Sequence, residues 1–159
     1  MDNQKIKLVK TEKDHLNYFF EFQLDEEANY LAAFTAKDMN VKSAYLEKYT
    51  RFLSDPTINM RTILVNDTIA GSIAKFVMEN EAELTYWIDR KFWGQDVATN
   101  ALREFLEMEQ TRPIYGRTAF DNYGSQRVLE KCGFLKIGVD KGFAYARQEE
   151  TEEYIYKLQ

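Results

Sequence analysis

Two stretches of this chain carry residue types at spacings that could do chemistry, and the first surrounds Trp93-Gly94-Gln95-Asp96. Upstream, Ala82, Leu84, Tyr86 and Ile88 alternate with Glu83, Thr85 and Trp87, the two-residue period of a strand with distinct faces. Downstream, Val97, Ala98, Ala101, Leu102, Phe105 and Leu106 form one apolar stripe at helical spacing. A turn from strand into helix gathers backbone N–H groups that lack internal partners at the positive end of the helix dipole. Such a junction suits a phosphate. Many strand-to-helix turns bind nothing, however, so the turn alone does not decide.

The second stretch is Asp121 to Gly138, DNYGSQRVLEKCGFLKIG. Ser125 is a natural cap for a short helix carrying Val128, Leu129 and Cys132, Gly133 is the expected stop, and Phe134 to Val139 returns as a strand. An ordinary capped helix explains this pattern without chemistry.

The elements that must position both stretches follow from the rest of the chain. Ile6 to Val9 reads as a first strand, capped onward by Thr11 or Asp14 into a helix from Asp14 to Tyr30. Leu16, Phe19, Phe20 and Leu24 share one side of it, while Tyr18 and Phe22 lie off that stripe, lining a pocket or meeting another element. After a connection from Ala32 to Asn40, Ser43 to Leu53 gives a second helix with Tyr45, Leu46, Tyr49, Phe52 and Leu53 on one face, and Ser54-Asp55-Pro56 stops it. Met60 to Asn66, Ile69 to Met78 and Ala82 to Ile88 then form an antiparallel meander, with Asn66-Asp67-Thr68 as a hairpin turn. The helix after Val97 leads to a strand from Ile114 to Phe120, a crossover that can set the fifth strand parallel to the fourth. Two such neighbours can splay at their C-terminal ends and open a ligand crevice.

Both stretches resemble one family. YWIDRKFWGQDVATNAL is similar to the cofactor motif of the GNAT superfamily of acyl-CoA-dependent N-acyltransferases, with Lys91 at its Gln/Arg position, Gly94 at its first glycine and Asp96 where glycine or alanine is usual. Asn122, Ser125, Arg127, Glu130, Lys131, Gly133 and Phe134 resemble the second motif of the ribosomal-protein N-terminal acetyltransferase branch. Phe22-Gln23-Leu24-Asp25 through Ala33-Phe34-Thr35-Ala36-Lys37-Asp38 is similar to an N-terminal signature of small uncharacterised members, and Glu153 to Leu158 to the family's closing strand. The expectation is one domain over residues 1–159, α/β (α+β) in class. Its mixed, mostly antiparallel sheet would have about seven strands and about four helices, splayed between strands 4 and 5.

The resemblance implies acetyl transfer from acetyl-CoA to an amine, a protein N-terminus or a small molecule. Backbone N–H groups over Gly94, Gln95, Asp96, Val97, Ala98 and Thr99 would hold the pyrophosphate, the strand edge at Trp87 and Ile88 would pair with the pantetheine arm, and Asn122 and Ser125 would lie beside the thioester. Glu83 is the candidate base for the amine, with a solvated strand glutamate as the alternative and Glu81 two positions away. The family's tyrosine proton donor is replaced by Leu129, so Ser125 or water would protonate the thiolate. Asp96 is the sharpest departure. As a cap it is favourable by roughly 0.3–1 kcal/mol, but about 5 Å from a phosphate it costs roughly 3 kcal/mol at an effective dielectric near 20. A non-catalytic acyl-CoA binder of the same fold is the alternative reading.

Composition bounds the rest. With 159 residues, 45% hydrophobic and 14% aromatic, the chain is a packed globule and not a disordered one. Lys+Arg of 21 against Asp+Glu of 26, net −5, argues against broad nucleic-acid binding and mildly favours cationic acceptors. No apolar run approaches the roughly 18 residues of a membrane span, and MDNQKIKLVK lacks a signal-peptide core, so no membrane role and a cytoplasmic location are expected. Cys132 is the only cysteine, read as a small buried residue, and His15 the only histidine, read as solvated; no metal site is expected. The oligomeric state is open, a homodimer included.

Overall fold

A computed structural model describes residues 4–159. Its strands are β1 (Ile6–Lys10), β2 (Asn59–Val65), β3 (Thr68–Met78), β4 (Glu81–Ile88), β5 (Ile114–Ala119), β6 (Leu135–Ala144) and β7 (Glu149–Leu158). They form one sheet in the order β1-β2-β3-β4-β5-β7-β6, antiparallel except for β4 with β5. The hairpins β2–β3 and β3–β4 turn on Asn66-Asp67 and Glu79-Asn80, all four at positive φ, as two-residue turns matched to strand twist require.

Five helices accompany the sheet: α1 (His15–Phe22), α2 (Glu26–Ala32), α3 (Lys42–Leu53), α4 (Val97–Met108) and α5 (Tyr123–Lys131), with a short 3₁₀ turn at Arg90–Phe92. The expected architecture of about seven strands and about four helices is present, with the segment from Asp14 to Tyr30 folded as two helices where one was expected. Asp25 is the cause: its carboxylate accepts from Ala28 N at 3.0 Å, and Glu26 and Glu27 fill a new first turn. The closing strands also run longer than expected, because β6 and β7 continue as a mostly charged, exposed hairpin with little apolar signal.

The apolar face of β4, through Ala82, Leu84 and Ile88, packs with Val97, Ala101, Leu102 and Phe105 of α4, and with Ile114, Leu129, Phe134 and Tyr156, into the main core. Fully burying side chains of this size contributes roughly 1.5–3 kcal/mol each. On the other face, α1 and α3 pack together and α1 rests on β3. His15 is half-buried beside that packing where a solvated position was expected: its Nδ1 accepts from Glu12 N at 3.1 Å and lies 2.8 Å from Thr62 Oγ1. Among the described residues no helix is long and apolar enough to cross a membrane.

Candidate functional site

The sheet opens where sequence periodicity said it could. β4 and β5 pair only over Ala82, Leu84 and the residue between them, opposite Ile114 to Gly116; past these β5 stays with β7 while β4 stays with β3. Thr85 to Ile88 therefore lose their β5 neighbour and line the resulting gap. Gly71 of β3 keeps the upper end of β4 in place, because a Cβ there would stand 2.1 Å from the Trp87 carbonyl oxygen. The Trp93 indole N–H donates to Ile88 O at 2.9 Å, folding the turn back onto the strand.

The turn then enters α4 through two left-handed residues, Gly94 at φ +76° and Asp96 at φ +59°. Around Gly94 a Cβ would meet nothing within 4 Å, so its glycine answers to the backbone angle and not to crowding within the protein. The first internal bond of α4 runs from Asn100 N to Asp96 O at 3.1 Å, so the N–H groups of Val97, Ala98 and Thr99 precede the ladder. Asp96 does not cap them. Its carboxylate instead lies 3.6 Å from Lys131 Nζ on α5, both side chains being substantially exposed. The acid at the unusual position is thus turned toward a cation, and three donors are left free for a ligand.

A cleft of about 520 Å³ opens over these donors, lined among others by Trp87, Ile88, Gly94, Asp96, Val97, Ala98, Thr99, Asn122 and Ser125, with Arg127 and Lys131 on its α5 side. Nine of the residues assigned to cofactor binding from sequence thus share one cavity. Gln95 does not line it; its amide donates to Lys91 O at 3.1 Å and its carbonyl accepts from Gln4.

A second cleft of about 1130 Å³ lies on the α1 and α3 side. Glu83, Thr85 and Trp87 form its floor on β4, and Phe19, Phe22, Tyr45, Tyr49 and Phe52 stand among its walls. Phe22 thus lines a pocket, whereas Tyr18 is exposed and does not. Tyr86, Trp87, Asn122, Ser125 and Ala32 line both clefts, so the two meet at the mouth of the splay.

Glu83 is not a solvated glutamate. Its side chain is 6% exposed, and Arg117 Nε of β5 lies 3.3 Å from it. Burial pushes its carboxyl above the usual range, against the opposing pull of Arg117. The same guanidinium stands 3.2 Å from Glu153 and 3.5 Å from Asp140, so three carboxylates share one cation.

Ser125 is placed differently from expectation. Asn122 caps α5, accepting from Ser125 N at 3.2 Å, because the helix begins at Tyr123 and Ser125 lies within its first turn. The Ser125 hydroxyl, freed from capping, is 2.6 Å from the Tyr86 hydroxyl. Burial raises the Tyr86 pKa to about 12, opposed by this bond, so the phenol is protonated at neutral pH. Leu129 is 2% exposed and packs over Gly116, where a Cβ would come within 2.9 Å of its Cδ2. Cys132 is half-buried, and burial raises its thiol pKa, which makes it a poor nucleophile.

The loop carrying Asn122 is held from a distance. Arg147, whose side chain is 2% exposed, donates to Asp121 Oδ2 at 2.9 Å, lies 2.8 Å from Oδ1, and donates to Tyr30 O at 2.9 Å. Asn122 Nδ2 donates to Leu31 O at 3.2 Å, joining the start of α5 to α2. Sequence reasoning missed Arg117, Tyr86 and Arg147. Tyr86 left a trace, since a tyrosine on the core face of a strand needs a partner for its hydroxyl; the two arginines left none short of knowing the β5–β7 pairing.

A family model described as the acetyltransferase (GNAT) domain matches residues 5–135. Among solved structures, the microcin C7 self-immunity acetyltransferase in complex with acetyl-CoA and AMP is 17% identical, with a TM-score of 0.79 over 97% of this chain and 92% of that one. A spermidine N-acetyltransferase chimera from Vibrio cholerae and hSSAT is 17% identical, with a TM-score of 0.76 over 94% and 93%. RimL, a ribosomal L7/L12 alpha-N-protein acetyltransferase in complex with coenzyme A, is 16% identical, with a TM-score of 0.74 over 94% and 92%. No curated protein matches the sequence.

Proposed function

The chain belongs to the GNAT acetyltransferase family, and we propose that it moves the acetyl group of acetyl-CoA onto a primary amine by direct attack. The observation that carries this reading is the meeting of two clefts at Tyr86, Trp87, Asn122 and Ser125, one over the uncapped N–H groups of α4 and the other over a buried carboxylate. The first fits the pyrophosphate and pantetheine of acetyl-CoA: free N–H groups and the helix dipole meet the phosphates, Arg127 and Lys131 add positive charge, and the splayed edge of β4 offers backbone groups to the amides. Two solved proteins of the same fold are complexes with acetyl-CoA or coenzyme A.

In the reaction, an amine enters from the larger cleft as its ammonium form. Glu83 takes one proton, directly or through one water, and its raised pKa makes it a better base than an exposed glutamate. The free amine nitrogen attacks the thioester carbonyl carbon, the new C–N bond forms, and the C–S bond breaks. The departing thiolate takes a proton from Ser125, Tyr86 re-protonates that hydroxyl, and the second proton shed by the nitrogen as the amide forms passes through water to restore Tyr86. The amide product and free CoA leave with charge balanced, Glu83 returning its proton to solvent.

The test is amine-dependent release of free thiol from acetyl-CoA by wild type and Glu83→Gln. Release that needs an amine, and falls at least a hundredfold in the variant without loss of acetyl-CoA affinity, supports the assignment. Binding of acetyl-CoA with no turnover of any amine would instead establish a non-catalytic binder.

A further inference from the structure

The larger cleft is charged at its floor and aromatic along its wall, and that division selects an acceptor. Two carboxylates that line the cleft, Glu83 and Glu153, share the single guanidinium of Arg117, which also pairs with Asp140 outside the cleft, leaving the floor short of positive charge. An ammonium beside Glu83 supplies the missing cation. Away from that floor, Tyr45 and Tyr49 are stacked at 4.3 Å between ring centroids, and Phe52 meets Tyr49 edge-on at 5.1 Å. Burial raises the pKa of both tyrosine hydroxyls, and neither makes a hydrogen bond among the described residues, so this wall faces the cleft as aromatic surface. Rings of this kind bind another ring by stacked or edge contact.

We infer, resting on the acetyl-transfer reading above, that the acceptor is an arylalkylamine: a primary amine whose ammonium meets Glu83 and whose aromatic body lies against Tyr45, Tyr49 and Phe52. A polyamine fits less well. Among the other charged residues lining the cleft, Glu47 is already paired with Arg51 at 3.2 Å, Asp55 accepts from Thr57 N at 2.8 Å, Asp38 adds a further carboxylate, and Lys48 stands over the Tyr49 and Phe52 rings at 5.9 Å. A second ammonium there meets cations as well as anions. A simple alkylamine satisfies Glu83 and leaves the aromatic wall in water.

The experiment is calorimetric titration of 2-phenylethylamine, butylamine and spermidine into the full chain saturated with CoA. 2-Phenylethylamine should bind at least tenfold more tightly than the other two. Tyr49→Leu should reduce that preference to threefold or less while leaving butylamine affinity unchanged, and Glu83→Gln should weaken all three amines together. Equal affinities for the three amines in wild type would overturn the inference without any variant having to fold. Because binding and turnover are read separately, selective binding without turnover upholds the arylalkylamine as the ligand of this cleft and overturns the catalytic reading. Turnover of spermidine as efficient as that of 2-phenylethylamine does the reverse.

Discussion

The two clefts that meet at Ser125 are built in opposite ways. The cofactor side has a local centre: strand, turn and helix are contiguous from Glu81 to Met108 and supply the backbone N–H groups of the anion site, to which α5 adds only Arg127 and Lys131 from outside that segment. The acceptor side is assembled from α1, α3, β4, β5 and the last hairpin, with Glu83, Arg117, Asp140 and Glu153 brought together from distant parts of the chain. Local construction tolerates a side-chain departure such as Asp96, because the donors belong to the backbone. A site of long-range side-chain contacts has no such tolerance, and substitutions should divide the two regions accordingly.

The largest effect is expected at Arg147. Removing one partner of a buried, hydrogen-bonded pair typically costs about 3–5 kcal/mol, and Arg147→Ala leaves Asp121 and the Tyr30 carbonyl without their partner. Chemical denaturation should show a loss of that order. A loss below about 1 kcal/mol would mean that α5 is held in place without this long-range clamp.

Glu83→Gln comes next. A positioned base contributes typically 10²–10⁴ in rate, so kcat/KM should fall at least a hundredfold and the acidic limb of the pH profile should vanish. In wild type that limb should lie above the usual carboxylate range, because burial raises the Glu83 pKa. The same shift fixes the sign of the stability change. A carboxyl whose folded pKa is raised contributes stability present below its unfolded pKa and lost as pH rises through the folded one. Glu83→Gln, which cannot ionise, should therefore unfold at a higher temperature than wild type at neutral pH while losing activity. A lower Tm would mean that its pairing with Arg117 outweighs its desolvation.

Smaller effects belong to the junction and the cofactor side. Ser125→Ala should lower kcat about tenfold with little change in KM, equivalent to about 1.4 kcal/mol in the transition state, as Tyr86 or water substitutes in part. Asp96→Gly should tighten CoA binding two- to fivefold at low salt and less at high salt, since the carboxylate is exposed and already beside Lys131. Lys131→Ala should weaken CoA binding by a similar factor. An unchanged affinity in both variants at low salt would show that neither charge reaches the phosphates.

The same division explains what the sequence made legible. The fold was readable because strand and helix periods are local, down to the β4–β5 splay and the turn at Gly94. The single helix expected from Asp14 to Tyr30 failed because apolar spacing continues across Asp25 although its carboxylate starts a new helix. Ser125 was misread as a cap because Asn122, three residues earlier, competes for that role and wins it. Arg117 was invisible because its partners come from β4, β6 and β7, and their meeting depends on β7 inserting between β5 and β6.

Whether the two clefts form one ternary site is the central question, and a bisubstrate ligand addresses it directly. CoA joined through its sulfur and an acetyl spacer to the nitrogen of 2-phenylethylamine spans both clefts through the junction at Tyr86, Trp87, Asn122 and Ser125. Linking two ligands removes the cost of the second association. Calorimetry should show this conjugate binding at least a hundredfold more tightly than CoA, with the gain abolished in the Glu83→Gln, Tyr49→Leu double variant. A conjugate that binds no more tightly than CoA alone would contradict a shared site for cofactor and acceptor.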